Sequence, residues 1–324
     1  MANFRADDNK DVTLVLTVYI IAFITGFPTN ILALYTFINK VWKKPSPIDI
    51  LLMNLTLSDL LLLIFLPFKM KEAASNFKWF LPYALCPLTG FIFYSSIYIS
   101  ILFLTAVSVE RYIGVAFPIK YKVKKKPLYA IMASAFIWVF ASAHCSIVYI
   151  IQYKKTQNAS NDTCFETFTP DQLKVLLPVR LELFVVLFLI PLLITTYAYI
   201  NFVRILMSLP HKDKERKIRA VSLVIVTLII YIACFGPYNI SHVIGYQIND
   251  SPTWRKYALL MSTINTTLDP IIFYFSSTAV KKSFGHIFGG IIKKISSICK
   301  CKLTCCNTVE KEETSTVDKS LTFA

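Results

Sequence analysis

Charge is what this sequence has least of. Only 16% of its 324 residues are charged, against 55% hydrophobic. A soluble domain carries nearer a quarter charged residues, so the shortage argues against one. Acids are the scarcer sign: 19 Asp and Glu stand against 34 Lys and Arg, a net charge of +15. Such an excess suits nucleic acid, but here the bases cluster between apolar runs. In that position they read as determinants of membrane topology, and no nucleic-acid partner is expected. Other absences narrow the field further. Neither a phosphate-binding glycine loop nor a nucleophile–base pair is apparent, so no enzyme is expected. The four cysteines near the C-terminus are spaced Cys-x-Cys and Cys-Cys, without the paired CxxC spacing of metal sites. No 20–50-residue repeat appears. Nor do the two halves resemble each other, the trace expected of many transporters. The polar start MANFRADDNKD is no signal peptide.

What is present is seven long apolar runs, at 12–39, 48–70, 83–117, 127–152, 173–207, 217–246 and 253–276. Each has about 20 residues or more, enough to cross a ~30 Å hydrocarbon core as a helix. The expected fold is an all-α membrane protein, a seven-helix bundle over 12–276. Loops 40–47, 118–126 and 208–219 carry thirteen Lys and Arg, and the opposite loops 71–82, 153–172 and 247–254 carry four. By the positive-inside rule the first set is cytoplasmic, which makes 1–11 an extracellular N-terminus and leaves the C-terminus inside. Residues 277–296, with FGHIFGGIIKK, suggest a short amphipathic helix on the inner membrane surface. The Ser-, Thr- and Glu-containing tail 297–324 is expected to be disordered.

The expected outer loops hold Cys86 and Cys164, both in an oxidising compartment and free to form a disulfide. Asn158 and Asn161 are glycosylation acceptors in the longest of those loops. On the inner side, Cys299, Cys301, Cys305 and Cys306 are palmitoylation candidates or simply free thiols.

Two arginines sit within the oily runs. In LLPVRLELFVVLFLIP, Arg180 and Glu182 lie where a charge costs roughly 2.5–3.5 kcal/mol on insertion scales. Arg180 is near the expected outer end of the fifth run and Arg255 near that of the seventh. His242 lies ~38 Å above Lys217 at 1.5 Å per residue, close to the outer end of the sixth. Three basic or donor groups therefore share one height. Ionisable residues at such depth usually face the bundle interior, and the guanidinium fork matches a carboxylate. A small organic anion is the natural guest. Other readings stay open: Arg255 snorkelling to headgroups, or Arg180 paired with Glu166 or Glu182. The i,i+2 spacing weakens the Glu182 option.

Individually weak signals occur in order along the runs: Asn30, Asp59, Glu110-Arg111-Tyr112, Trp138, Pro191 with Tyr199, Cys234-Phe235-Gly236-Pro237, and Asp269-Pro270-Ile271-Ile272-Phe273-Tyr274. Together they resemble the rhodopsin-like G-protein-coupled receptors over almost the whole chain. Leu177–Leu183 (LPVRLEL), Cys234–His242 (CFGPYNISH), Ser251–Arg255 (SPTWR) and Glu72–Phe77 (EAASNF) resemble the free fatty acid receptors, and His242 resembles their short-chain branch. Within that branch the signals mix. Tyr94, Glu166 and 108–118 (SVERYIGVAFP) look like one member, and 141–149 (ASAHCSIVY) with 86–93 (CPLTGFIF) like another.

The resemblance implies a plasma-membrane receptor for short-chain fatty acids (acetate, propionate, butyrate) that couples to Gi/o and Gq. Alternatives are a receptor for a hydroxycarboxylate, a longer fatty acid or a nucleotide, and a monocarboxylate transporter. Implied ligand residues are Arg180, Arg255 and His242. Tyr94 and Tyr238 line the pocket or fill the core, His144 is a ligand residue or a structural histidine, and Glu166 closes over the cavity. No cofactor is required, but Asp59, Ser100, Asn265 and Asp269, near Asn30, would hold an allosteric sodium ion. Glu110, Arg111, Tyr112, Tyr199 and Tyr274 would couple to the G protein. Thr308, Thr314, Ser315, Thr316, Ser320 and Thr322 in the tail are candidates for the phosphorylation that recruits arrestin. Two positions depart from the family pattern. Lys217 stands where many relatives carry an acid that latches the arginine, and Phe235 stands where tryptophan is common.

Overall fold

In the computed structural model the described residues are 2–123, 127–153, 163–165, 168–209, 214–277 and 280–285, and the elements in them are helical. Residues Met1–Ser277 form one unit and Thr278–Ala324 another. In the first, α1 (Ala2–Lys43), α2 (Pro47–Ala74) and α3 (Leu85–Ala116) are followed by the short α4 (Pro118–Val123). Then come α5 (Pro127–Cys145), α6 (Ile147–Tyr153), α7 (Pro170–Leu183), α8 (Ile190–Ser208), α9 (Lys214–Ile248) and α10 (Arg255–Ser276).

The apolar runs become helices where expected, with differences that have local causes. The segment 2–11, expected as a separate polar terminus, continues α1, giving 42 residues. Nothing in it breaks a helix: glycine and proline are absent, and Ala, Arg and Lys favour the helical state. The fourth run is interrupted at Ser146, whose hydroxyl donates to the Ala143 carbonyl at 2.6 Å. The fifth run contains a π-helical turn at Phe184–Leu189 between α7 and α8. Pro191 follows it, and a proline cannot donate to the residue four before it; widening the turn absorbs that missing bond. A capping box opens α7, with the Thr169 side chain accepting from the Gln172 amide and the Gln172 side chain accepting from the Thr169 amide.

Among the described residues, six helices or helix runs are long and apolar enough to cross a membrane. The seventh expected run, α10, has 22 residues but is more polar, with Ser262, Thr263, Asn265, Thr266 and Asp269 buried along it. Helix α3 is central and packs on α2, α5, α6, α8 and α9. Of its apolar window 72% is buried, against 22% for α1, so α1 lies at the periphery. Outward positions carry Ile24, Phe136 and Ile229, each more than half exposed; a surface this apolar suits lipid rather than water. Inside, the Trp138 indole donates to Asn54 Oδ1 at 3.0 Å and ties α5 to α2.

In the second unit residues 280–285 are helical. The rest of the expected surface helix and tail, with Cys299, Cys301, Cys305 and Cys306, lies outside the described residues, as do the glycosylation candidates Asn158 and Asn161.

Candidate functional site

Near the end of the bundle that carries the disulfide, α7, α9 and α10 bring three of the expected ligand residues to one small cavity. Arg180, His242 and Arg255 all line it, with Tyr94, Tyr98 and Tyr238. Its volume is about 40 Å³. By the same measure one water needs ~10–15 Å³, so there is room for a guest of only a few heavy atoms. The three residues are 4%, 0% and 8% exposed respectively.

The polar groups form an ordered chain. Arg255 Nη2 donates to the Tyr238 hydroxyl at 2.7 Å, and its Nη1 lies 2.9 Å from His242 Nδ1. A guanidinium only donates, so Nδ1 must accept and His242 is neutral with its proton on Nε2. That proton points to Tyr98 Oη, 2.9 Å away, and Tyr98 donates in turn to Asn239 Oδ1 at 3.4 Å. Arg255 also lies 4.6 Å over the Tyr238 ring, and Tyr94 stacks on that tyrosine with ring centroids 6.3 Å apart. Arg180 is held more simply: Nη1 donates to Ser251 Oγ at 3.2 Å, and the Phe168 ring lies 5.0 Å from its Cζ.

Neither guanidinium has a carboxylate partner among the described residues. Glu182 pairs instead with His144 Nε2 at 3.1 Å; two residues from Arg180 on the same helix, it does not face that arginine. His144 also bonds the Phe140 carbonyl at 2.8 Å and is not part of the cavity lining. Glu166 lies outside the described residues. Two buried cations thus face one cavity and repel each other. An unpaired buried charge is costly, and an anion between them supplies the missing counter-charge. Each guanidinium has five N–H donors; Arg255 spends two on Tyr238 and His242 and Arg180 one on Ser251, leaving several for such a guest.

Deeper, Asp59, Ser100, Asn265 and Asp269 meet in one cluster. The Ser100 hydroxyl donates to Asp59 at 3.5 Å, Asn265 Nδ2 donates to Asp269 at 2.7 Å, and the two carboxyl groups interact directly. Asn30 joins through the Thr266 carbonyl at 2.7 Å. Buried oxygens of Asn30, Asp59, Asn265 and Asp269 have no hydrogen-bond donor. Four such acceptors, two of them on the carboxyl groups of Asp59 and Asp269, fit a hard cation with oxygen ligands.

At the opposite end, Arg111 lines a cavity of about 220 Å³ with Lys40, Asp49 and Leu223. Glu110 turns away to tyrosines: Tyr129 donates to it at 2.5 Å, and Tyr121 also bonds it. Burial first, then the Glu110 carboxylate, push the Tyr121 phenol above its ordinary pKa. Tyr199 lies against Arg111 and Thr227. Tyr112 packs edge-on to Tyr197 with centroids 6.3 Å apart, and Tyr274 edge-on to Phe275 at 5.3 Å. Lys217 donates to the Met207 carbonyl at 3.3 Å and to that of Leu209. It therefore caps the C-terminal end of α8, where a cation is favourable, instead of latching Arg111.

The family described as "7 transmembrane receptor (rhodopsin family)" matches residues 29–273. The chain is 47% identical to free fatty acid receptor 3 of Mus musculus over 283 residues, 86% of this chain and 88% of that one. It is 50% identical to free fatty acid receptor 2 of Rattus norvegicus over 279 residues, 84% of each. The chain belongs to the free fatty acid receptors of the rhodopsin family. Free fatty acid receptor 1 of Macaca fascicularis is more distant, 32% identical over 275 residues. Membership places this chain among multi-pass membrane receptors rather than enzymes. The mixed motif signals fit near-equal identity to receptors 2 and 3. Expected as a pair, Cys86 and Cys164 form a disulfide with Cα atoms 5.7 Å apart. Sequence reasoning missed Tyr98, Ser251 and Phe168, all of which hold the two charged or donor groups in place. Tyr98 had a signal: it lies four residues after Tyr94 and so on the same face of α3.

Proposed function

We propose that this receptor is activated by short-chain carboxylates and passes the signal to a heterotrimeric G protein. The observation that carries the reading is the pair of buried guanidinium groups without a carboxylate partner among the described residues, facing a cavity of about 40 Å³. A carboxylate supplies the counter-charge and the cavity limits its tail. In this reading α10 is the seventh span, the disulfide end lies outside the cell, and Arg111 with Tyr112, Tyr199 and Tyr274 faces the G protein, of the Gi/o and Gq classes. A sodium ion held by Asp59, Ser100, Asn265 and Asp269 would neutralise facing carboxyl groups and favour the inactive arrangement. His144, paired with Glu182, positions α5 against α7 and acts on the pocket through its neighbour Cys145, which lines it. Arrestin and membrane lipid complete the set of partners.

Affinity has a ceiling. At best a small ligand gains about −1.5 kcal/mol per heavy atom, so propionate reaches about −7.5 kcal/mol, a Kd of a few micromolar. Tens of micromolar to millimolar is the expected working range. The test is a panel of C1–C12 carboxylates, lactate and nucleotides read as G-protein activation in cells expressing the receptor. C2–C4 acids are expected to activate in that range. Activation by nucleotides alone, or a nanomolar response to a short-chain acid, contradicts the reading. Vesicle uptake of labelled propionate separates a receptor from a transporter, and none is expected.

A further inference from the structure

Next to the small pocket lies a second cavity of about 250 Å³, lined by Lys69, Glu72, Phe77, Lys256 and others. The two linings have three residues in common: Tyr94, Phe165 and Arg255. Arg255 and Tyr94 are both held on Tyr238. Phe165 is different, because it stands in the segment that follows Cys164 of the disulfide, not on a helix. Its backbone has φ 61°, a region that a bulky residue seldom occupies. Its ring explains why it is tolerated there. A Cβ at Gly90 of α3 would come within 2.9 Å of Phe165 Cε2, so only glycine leaves the notch in which the ring sits. The ring also meets Tyr94 edge-on, centroids 6.4 Å apart, and joins the apolar groups around Trp79 and around Ile147.

We propose that the Phe165 ring, seated on Gly90 and Tyr94, is the partition between the two cavities and sets the upper chain length of the acids the receptor accepts. This rests on the carboxylate reading above. With the head group at Arg180 and Arg255, the tail of a C2–C4 acid stays inside the small pocket. A longer tail meets the Phe165 ring. With the ring gone, that tail continues into the larger cavity, and each further buried methylene adds about fourfold in affinity.

The test uses full-length receptor on intact cells, with Phe165→Ala, which removes the ring, and Phe165→Leu, which keeps apolar bulk and protects against misfolding. Cys145 lines the small pocket and is 1% exposed, so it reports on the partition without any assumption about the ligand. Its labelling by a membrane-impermeant methanethiosulfonate is followed, with Cys145→Ser as background. The surface-normalised potency of C2–C8 carboxylates is measured on the same cells. Labelling is expected to quicken at least tenfold in Phe165→Ala and by less in Phe165→Leu. Hexanoate and octanoate should gain at least tenfold in potency while acetate moves less than threefold. Labelling no faster than in the unsubstituted receptor overturns the partition. Faster labelling without a gain for the longer acids overturns the chain-length role. Faster labelling in a receptor that no carboxylate activates upholds the partition and sinks the ligand reading instead.

Discussion

Replacing Arg255 by Ala is expected to weaken activation by acetate, propionate and butyrate by at least 10- to 150-fold, with the receptor still at the cell surface. The range follows from one hydrogen bond to a charged group, roughly 1.5–3 kcal/mol. Arg255 is the more demanding of the two arginines because it also donates to Tyr238 and to His242. Its loss leaves His242 Nδ1 without a donor and frees the ring to turn, so the link to Tyr98 loosens too. Arg180→Ala removes the second charge but, among the described residues, only one internal hydrogen bond, to Ser251, and the contact with the Phe168 ring. It should cost a similar factor in potency and less in stability. Arg180→Lys should recover only part of the loss, since an ammonium cannot reproduce the two-pronged contact. His242→Ala is expected to fall between these and the unsubstituted receptor. Surface-normalised concentration–response curves check all four. Unchanged potency in both alanine variants would make the arginines structural.

The second large effect concerns the disulfide. Cys86 and Cys164 are 78 residues apart in sequence, and closing a loop of that length restricts the unfolded chain by about 4–5 kcal/mol in the chain-entropy account. Cys86→Ser or Cys164→Ser is therefore expected to lower the thermal stability of detergent-solubilised receptor and its surface level. The bond also fixes Phe165, the next residue, so in whatever fraction reaches the surface the preference for the shorter acids should weaken. Equal melting temperatures for Cys86→Ser and the unsubstituted receptor would count against this.

Much of the architecture was legible because lipid imposes a simple rule: a long apolar run must satisfy its own backbone bonds, so it becomes a helix. The local departures, at Ser146 and around Pro191, come from single side chains and prolines whose effect depends on neighbours in space. The height of Arg180, His242 and Arg255 could be counted from helix ends, and the structure gathers all three. Their rotation about each helix axis could not be counted. Hence Tyr98, Ser251 and Phe168 carry no sequence signal strong enough to place them at the site, and His144, open in the sequence between a ligand and a structural role, is found paired with Glu182. Lys217 shows the same limit. Its charge excluded the usual latch, but only tertiary geometry shows it on the carbonyls of α8.

The central claim is that two buried guanidinium groups recognise the negative charge of a small acid. Comparing propionate with propionamide on the unsubstituted receptor tests it most directly, because the two have the same size and differ in charge. The account predicts that propionate activates and that propionamide is at least ten times weaker, with the gap closing in the Arg180→Ala, Arg255→Ala double variant. Equal potency of the two compounds on the unsubstituted receptor would contradict it.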